Sequence, residues 1–317
     1  MPVECCTNEQ LQFIVDYSCF ALACVILWRS RLLYPMKLFC TFLHEFGHAS
    51  AAWMMCARVD GIEVHADQGG LTHWSSTRPK CAGFVVMPAG YLGSAFWAGA
   101  LVLSSMDNVA SVIMAIGLCV AMVVVLCYQA CGKHAKPEAT LTVLLVSLLV
   151  ILAGLIAMTV LLDWEDRNVP LRMVLLLMGV MNSIFATWNI YTDCIAKDDP
   201  RSDAHKFAES VPCCFPRVIG VLWIIVDFAF ILLCIFLTLW LASAENHGTE
   251  EVDSIDDIHA LTWLAIAVGV GSVVGALIWH RCCQGLAPSI HTGGQTSAAK
   301  PSSEPKVVAS PLGKSRC

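Results

Sequence analysis

The sequence predicts an all-α polytopic membrane protein with about eight transmembrane helices and a short β-hairpin after the second. Three observations carry this. The 317 residues are 57% hydrophobic and only 14% charged, at mean hydropathy +0.68, which is far too apolar for a water-soluble domain of average composition. Apolar runs long enough for a hydrocarbon core of about 30 Å recur along most of the chain. One short stretch switches from helical to alternating periodicity.

The runs fall near residues 11–28, 34–56, 82–104, 109–128, 139–162, 172–195, 218–243 and 260–280. The first is interrupted by Asp16, but neither a basic leader nor a small-residue cleavage site marks it as a removable signal, so it is kept as a span. The second encloses His44-Glu45-Phe46-Gly47-His48. Between the second and third, Val59 to Trp74 alternates Ile62 and Val64 with polar residues before Gly69-Gly70, a hairpin signature. The Asp60-Gly61 pair in the same stretch reads as a turn. The third run carries Pro88-Ala89-Gly90-Tyr91-Leu92-Gly93-Ser94-Ala95, small residues at near-helical spacing that let another backbone approach closely. The sixth bears Asn182, Asn189 and Asp193, the seventh Asp227. Ser202-Asp203-Ala204 reads as a capped helix start at the surface. Residues 1–285 form the membrane domain, with 34–210 as its functional core, and the Ser, Pro, Gly and Lys-rich 286–317 reads as a disordered tail.

Basic residues gather in alternate connections: Arg58, Arg78 and Lys80, then Lys133 and Lys136, then Lys197 to Arg217, then Arg281 onward. Those sides are expected to be cytosolic, and the acidic loops around 163–166 and 245–257 to face away. Arg29, Arg31 and Lys37, between the first two runs, break this alternation. Most of the 17 cysteines lie in or beside apolar runs, where they serve as small apolar packers rather than a disulfide framework. The pairs Cys5-Cys6, Cys213-Cys214 and Cys282-Cys283 sit at membrane boundaries, where palmitoylation is physically plausible. Nothing in the charge pattern reads as nucleic-acid binding.

The chemistry centres on the second run. A helix puts residues four apart on one face, so His44 and His48 can bind one metal ion while Glu45 reaches a water on it. Three such side chains within hydrocarbon need a compensating cation, a wet cavity or other polar groups between packed helices. A catalytic zinc site takes a third protein ligand. The acids available are Asp16, Asp163, Asp193 and Asp227. Asp193 is preferred, because at about 100° per residue Asn182, Asn189 and Asp193 share one face of the sixth run. A polar stripe inside a membrane must look at a cavity or bundle interior. On this reading Asn189, one turn before Asp193, orients the carboxylate or donates to a substrate carbonyl, and Asn182 helps wet the cavity. Asp227 is the runner-up ligand.

These residues resemble the site-2 protease family of intramembrane zinc metalloproteases, in its small multi-span branch without an inserted PDZ domain. The likeness covers roughly residues 34–210. It rests on His44-Glu45-x-x-His48 within a span, the Gly69-Gly70-x-Thr72 hairpin, the Ala89-Gly90-Tyr91-Leu92-Gly93-Ser94 helix, and Tyr191-Thr192-Asp193 leading to Ser202-Asp203-Ala204. The Asp-Gly signature that commonly supplies the family's third ligand is absent. The resemblance implies one zinc ion held by His44, His48 and Asp193, with Glu45 as catalytic base.

The expected activity is hydrolysis of peptide bonds in or near transmembrane segments of other membrane proteins, at a site embedded in the bilayer. Two other classes compete: a catalytically inactive scaffold or chaperone that binds transmembrane helices, and a metal or solute transporter. Glu45 favours hydrolysis, since holding the metal does not require it.

Overall fold

A computed structural model of the chain describes residues 7–77, 79–131, 139–161, 169–197, 199–200, 202–210 and 215–247. The chain divides into two units, Met1–Gly285 and Leu286–Cys317, and the described residues all belong to the first. The expected tail, the run at 260–280 and the three cysteine pairs lie outside them.

Helix α1 (Asn8–Ile26) starts at a capping box: Gln10 N donates to Thr7 Oγ1 and Thr7 N donates back to Gln10 Oε1, which satisfies two amide groups left over at the helix start. A 3₁₀ turn, Arg31–Leu33, leads into α2 (Tyr34–Met54), with Pro35 in the first turn where its missing N–H costs nothing. Cys56 follows at φ 54° and Ala57 N closes on Ala52 O at 2.8 Å, a left-handed helix ending of the kind glycine more often supplies. The hairpin is present: β1 (Arg58–Val64) pairs antiparallel with β2 (Gly70–Ser75). Asp60-Gly61 is a bulge inside β1 rather than a turn, since the register slips between Val59 and Gly61. The chain reverses at 65–69, with Gln68 at φ 70°.

Helices α3 (Pro79–Ser104), α4 (Asn108–Cys131), α5 (Ala139–Leu161), α6 (Val169–Ile190), α7 (Asp203–Ser210) and α8 (Pro216–His247) complete the bundle. α6 runs on as a π-helical turn, Tyr191–Ala196. By length and composition six helices can cross a membrane: α1, α3, α4, α5, α6 with its π turn, and α8. Of the eight expected runs, six therefore have the length and composition of a span, the run at 260–280 lies outside the described residues, and one differs.

The difference is α2. It is not among the six, and every residue from Leu38 to Trp53 except His44 and Ser50 is buried inside the protein. Its two ends lie toward the same end of the bundle. Leu33 and Cys40 pack on Met181 and Phe185 in the second half of α6, Tyr34 donates to Ala66 O in the hairpin turn at 2.7 Å, and Trp53 meets Tyr128 near the end of α4. Its apolar residues serve protein contacts. α1 lies parallel to α6, with Phe13 on Leu176 and Val180 and Trp28 on Trp188. It therefore ends where α2 begins.

Candidate metal centre

α2 meets α3 at its glycines. A Cβ on Gly47 would collide with Ala89 O, and one on Gly93 would sit 3.1 Å from the Gly47 Cα, so the two backbones touch where the small-residue run predicted close approach. At that crossing His44 and His48, one turn apart, face the same point. His48 Nδ1 lies 2.7 Å from Val86 O. A carbonyl only accepts, so Nδ1 carries a proton, which leaves Nε2 as the ring nitrogen that a metal ion would take.

Asp203, the first residue of α7, completes the group. Its Oδ2 lies 3.1 Å from His44 Nε2 and 3.0 Å from His48 Nε2, and the two nitrogens are 3.2 Å apart. Among the described residues this is the one set of three His, Cys, Asp or Glu ligand atoms within 4.8 Å of one another. Ligand atoms on a tetrahedral zinc at about 2.0–2.1 Å stand about 3.3 Å apart, so the donor set fits such an ion. Burial raises the Asp203 carboxyl, but the imidazoles of His48 and His44 outweigh that and hold it well below the ordinary carboxylate range. Its other oxygen lies 3.7 Å from Lys206 Nζ.

Packing holds this acid in place. Ser202 Oγ accepts from His205 N, which caps α7, and Phe207 packs between Phe84 of α3 and Trp223 of α8 at ring distances of 5.3 and 5.9 Å. Tyr91 joins the same aromatic set, 5.3 Å from Trp223 and 4.6 Å from the His44 ring. A Cβ on Gly90 would press into both imidazoles, reaching His44 Nε2 at 2.5 Å. Only glycine leaves that space.

Glu45 is buried on the adjoining wall. Thr72 Oγ1 of β2 lies 3.0 Å from Glu45 O and 2.7 Å from Glu45 Oε2, and a Cβ on Gly70 would meet Glu45 Oε1 at 2.5 Å. The hairpin thus lies directly on the Glu45 carboxylate. All four acidic and imidazole groups open into a cavity of about 440 Å³, lined also by Gln68, Asn189, Asp193 and Lys206.

The structure brings together His44, Glu45 and His48 as expected, but the acid beside the histidines is Asp203, not Asp193. Asp193 sits in the π turn, where it lines the cavity and accepts from Thr192 Oγ1 at 3.3 Å. Asn189 and Asp193 thus share the cavity face, but the Asp193 carboxylate is not among the three ligand atoms gathered within 4.8 Å. Asn189 lines the cavity. Asn182 does not; its amide donates to Ser94 O of α3 at 2.8 Å and serves helix packing. Asp227 accepts from Thr187 Oγ1 across α6 and α8, a helix–helix bond away from the cavity. Asp203 carried a signal in the sequence, an acid at a capped helix start, but no spacing rule tied it to His44.

A family model for peptidase M50B-like proteins matches residues 17–234. The chain belongs to that family. The M50B-like match places it among the site-2 proteases, which are zinc metalloproteases, and with six apolar helices it is an integral, multi-pass membrane protein. Neither the curated proteins nor the solved structures compared with it gave a match.

Proposed function

We propose that this M50B-like protein is an active intramembrane zinc endopeptidase that hydrolyses peptide bonds in or near transmembrane segments of other membrane proteins. The observation that carries the reading is the convergence of His44, His48 and Asp203 on one point beside the buried Glu45. His44 and His48 would hold the ion through Nε2 and Asp203 through Oδ2. When bound, zinc supplies Lewis acidity to the scissile carbonyl and the attacking water. Glu45, steadied by Thr72, takes the proton of that water and passes it to the leaving amine. Asn189, on the cavity wall, would donate to a substrate carbonyl.

A transmembrane helix hides its amides in its own hydrogen bonds, so the substrate must unwind before it is cut. Among the described residues the sheet has two strands, which leaves β2 an unpaired edge, and Gly70 to Thr72 line the cavity. An unwound segment added to that edge would have its backbone hydrogen-bonded next to Glu45. A scaffold that only holds helices needs no such base, so Glu45 supports hydrolysis over binding alone.

The test is Glu45→Gln in the full chain, assayed on a co-expressed single-span substrate. Zinc content should stay at the wild-type level while cleavage falls by about 10²–10⁴-fold. Equal turnover by wild type and variant, or none by either, contradicts the protease reading.

A further inference from the structure

A second cavity, of about 530 Å³, lies between the first turns of α1, the connection from α3 to α4, and the start of α6. Arg172 in this cavity and Asn189 in the other are both on α6, seventeen residues apart, which at 1.5 Å per residue is about 26 Å. The two cavities therefore open at opposite membrane boundaries, and this one sits at headgroup depth.

Its charges are arranged unusually. Arg172 is half-buried and its Nε donates to Ser105 O at 2.7 Å, which fixes the guanidinium. Glu9, Asp16 and Asp107 line the same hollow, yet among the described residues none comes within ion-pair distance of Arg172. Asp107 is held by capping Ala110 N and Asp16 by Gln12. A guanidinium with two amino groups to spare and three carboxylates kept apart from it suit a ligand carrying both signs. The floor is apolar, with Phe13 and Leu176 at its base.

We infer that this cavity binds the zwitterionic headgroup of a phospholipid, with the phosphate on Arg172 and the amine toward Glu9, Asp16 and Asp107. The fork of Arg172 matches phosphate oxygens in two parallel hydrogen bonds, and the carboxylates of Glu9, Asp16 and Asp107 on the same hollow suit the amine. The bound lipid bridges α1 to α3 and α6. α1 is the least buried of the six spanning helices, with 11% of its apolar window inside the protein, so it gains most from such a clamp.

The test uses the full-length protein in detergent, with phosphatidylethanolamine, phosphatidylglycerol or O-phosphoethanolamine added, read by native mass spectrometry and by Tm. Phosphatidylethanolamine should bind one per chain and raise Tm. Arg172→Gln should weaken it about tenfold or more and remove the lipid-induced rise in Tm, measured from the variant's own lipid-free Tm. Should that variant fail to fold, Glu9→Gln with Asp16→Asn carries the test, because it should erase the preference over phosphatidylglycerol. Wild-type affinity in Arg172→Gln, equal binding of phosphatidylglycerol by the wild type, or an undiminished preference in the double variant overturns the site. Equal stabilisation by O-phosphoethanolamine alone overturns its assignment to a lipid.

Discussion

Thr72 ties the hairpin to Glu45 through a single hydroxyl that reaches both its carbonyl and its carboxylate. A hydrogen bond to a charged, buried acceptor contributes about 1.5–3 kcal/mol, and here it fixes the direction in which the proposed base points. Thr72→Val is expected to lower kcat about tenfold with little change in KM and no change in zinc content, and Thr72→Ser to restore it. A fall in zinc content alongside kcat would assign Thr72 to folding instead. At this scale the sequence was legible where the information is local. His44, Glu45 and His48 sit within one and a half turns, and helix geometry alone aims the imidazoles together. Asp203 lies 155 residues beyond His48, and only the docking of Phe207 on Phe84 and Trp223 brings it back.

Among the elements, the crossing of α2 and α3 decides whether the centre can form. Gly47, Gly90 and Gly93 let the two backbones meet, and Gly90 faces the imidazoles themselves. In a helix, alanine ordinarily improves on glycine by roughly 0.5–1 kcal/mol. Gly90→Ala is expected to reverse that sign, lowering both zinc content and Tm, while Gly154→Ala, where a Cβ meets nothing within 4 Å, leaves zinc content unchanged. Metal analysis and thermal unfolding of the purified variants decide it, and full zinc occupancy in Gly90→Ala contradicts the packing argument. The small-residue run pointed to this contact from sequence. The π turn at Tyr191–Ala196 did not show itself there, because nothing in a periodic hydrophobic run marks where one extra residue enters a turn; Asp193 reaches the cavity wall with Asn189, but the acid beside the imidazoles comes from α7.

For the whole molecule, the course of α2 resolves a conflict in the charge pattern. If α2 crossed the bilayer, Arg29 and Arg31 would lie opposite the other basic connections. Because α1 runs parallel to α6 and α2 returns to the same end of the bundle, these arginines join the side that carries the hairpin and the cavity at His44 and His48, as the positive-inside rule prefers. The start of α1 then lies on the face opposite the end of α4. Tags placed at the N-terminus and in residues 132–138 should show opposite protease accessibility in sealed vesicles, and equal accessibility would mean that α2 crosses after all. The six spanning helices were readable from sequence because hydrocarbon thickness demands long apolar runs. α2 is apolar as well, but its apolar residues face protein, which an apolar run by itself does not distinguish from facing lipid.

The most direct measurement is the zinc content per chain of the purified wild type, Asp203→Ala and Asp193→Ala. Coordination by His44, His48 and Asp203 predicts one zinc in the wild type, a large loss in Asp203→Ala, and near-full occupancy in Asp193→Ala. A wild type that binds no zinc, or an Asp203→Ala variant that keeps it while Asp193→Ala loses it, would contradict the centre described above.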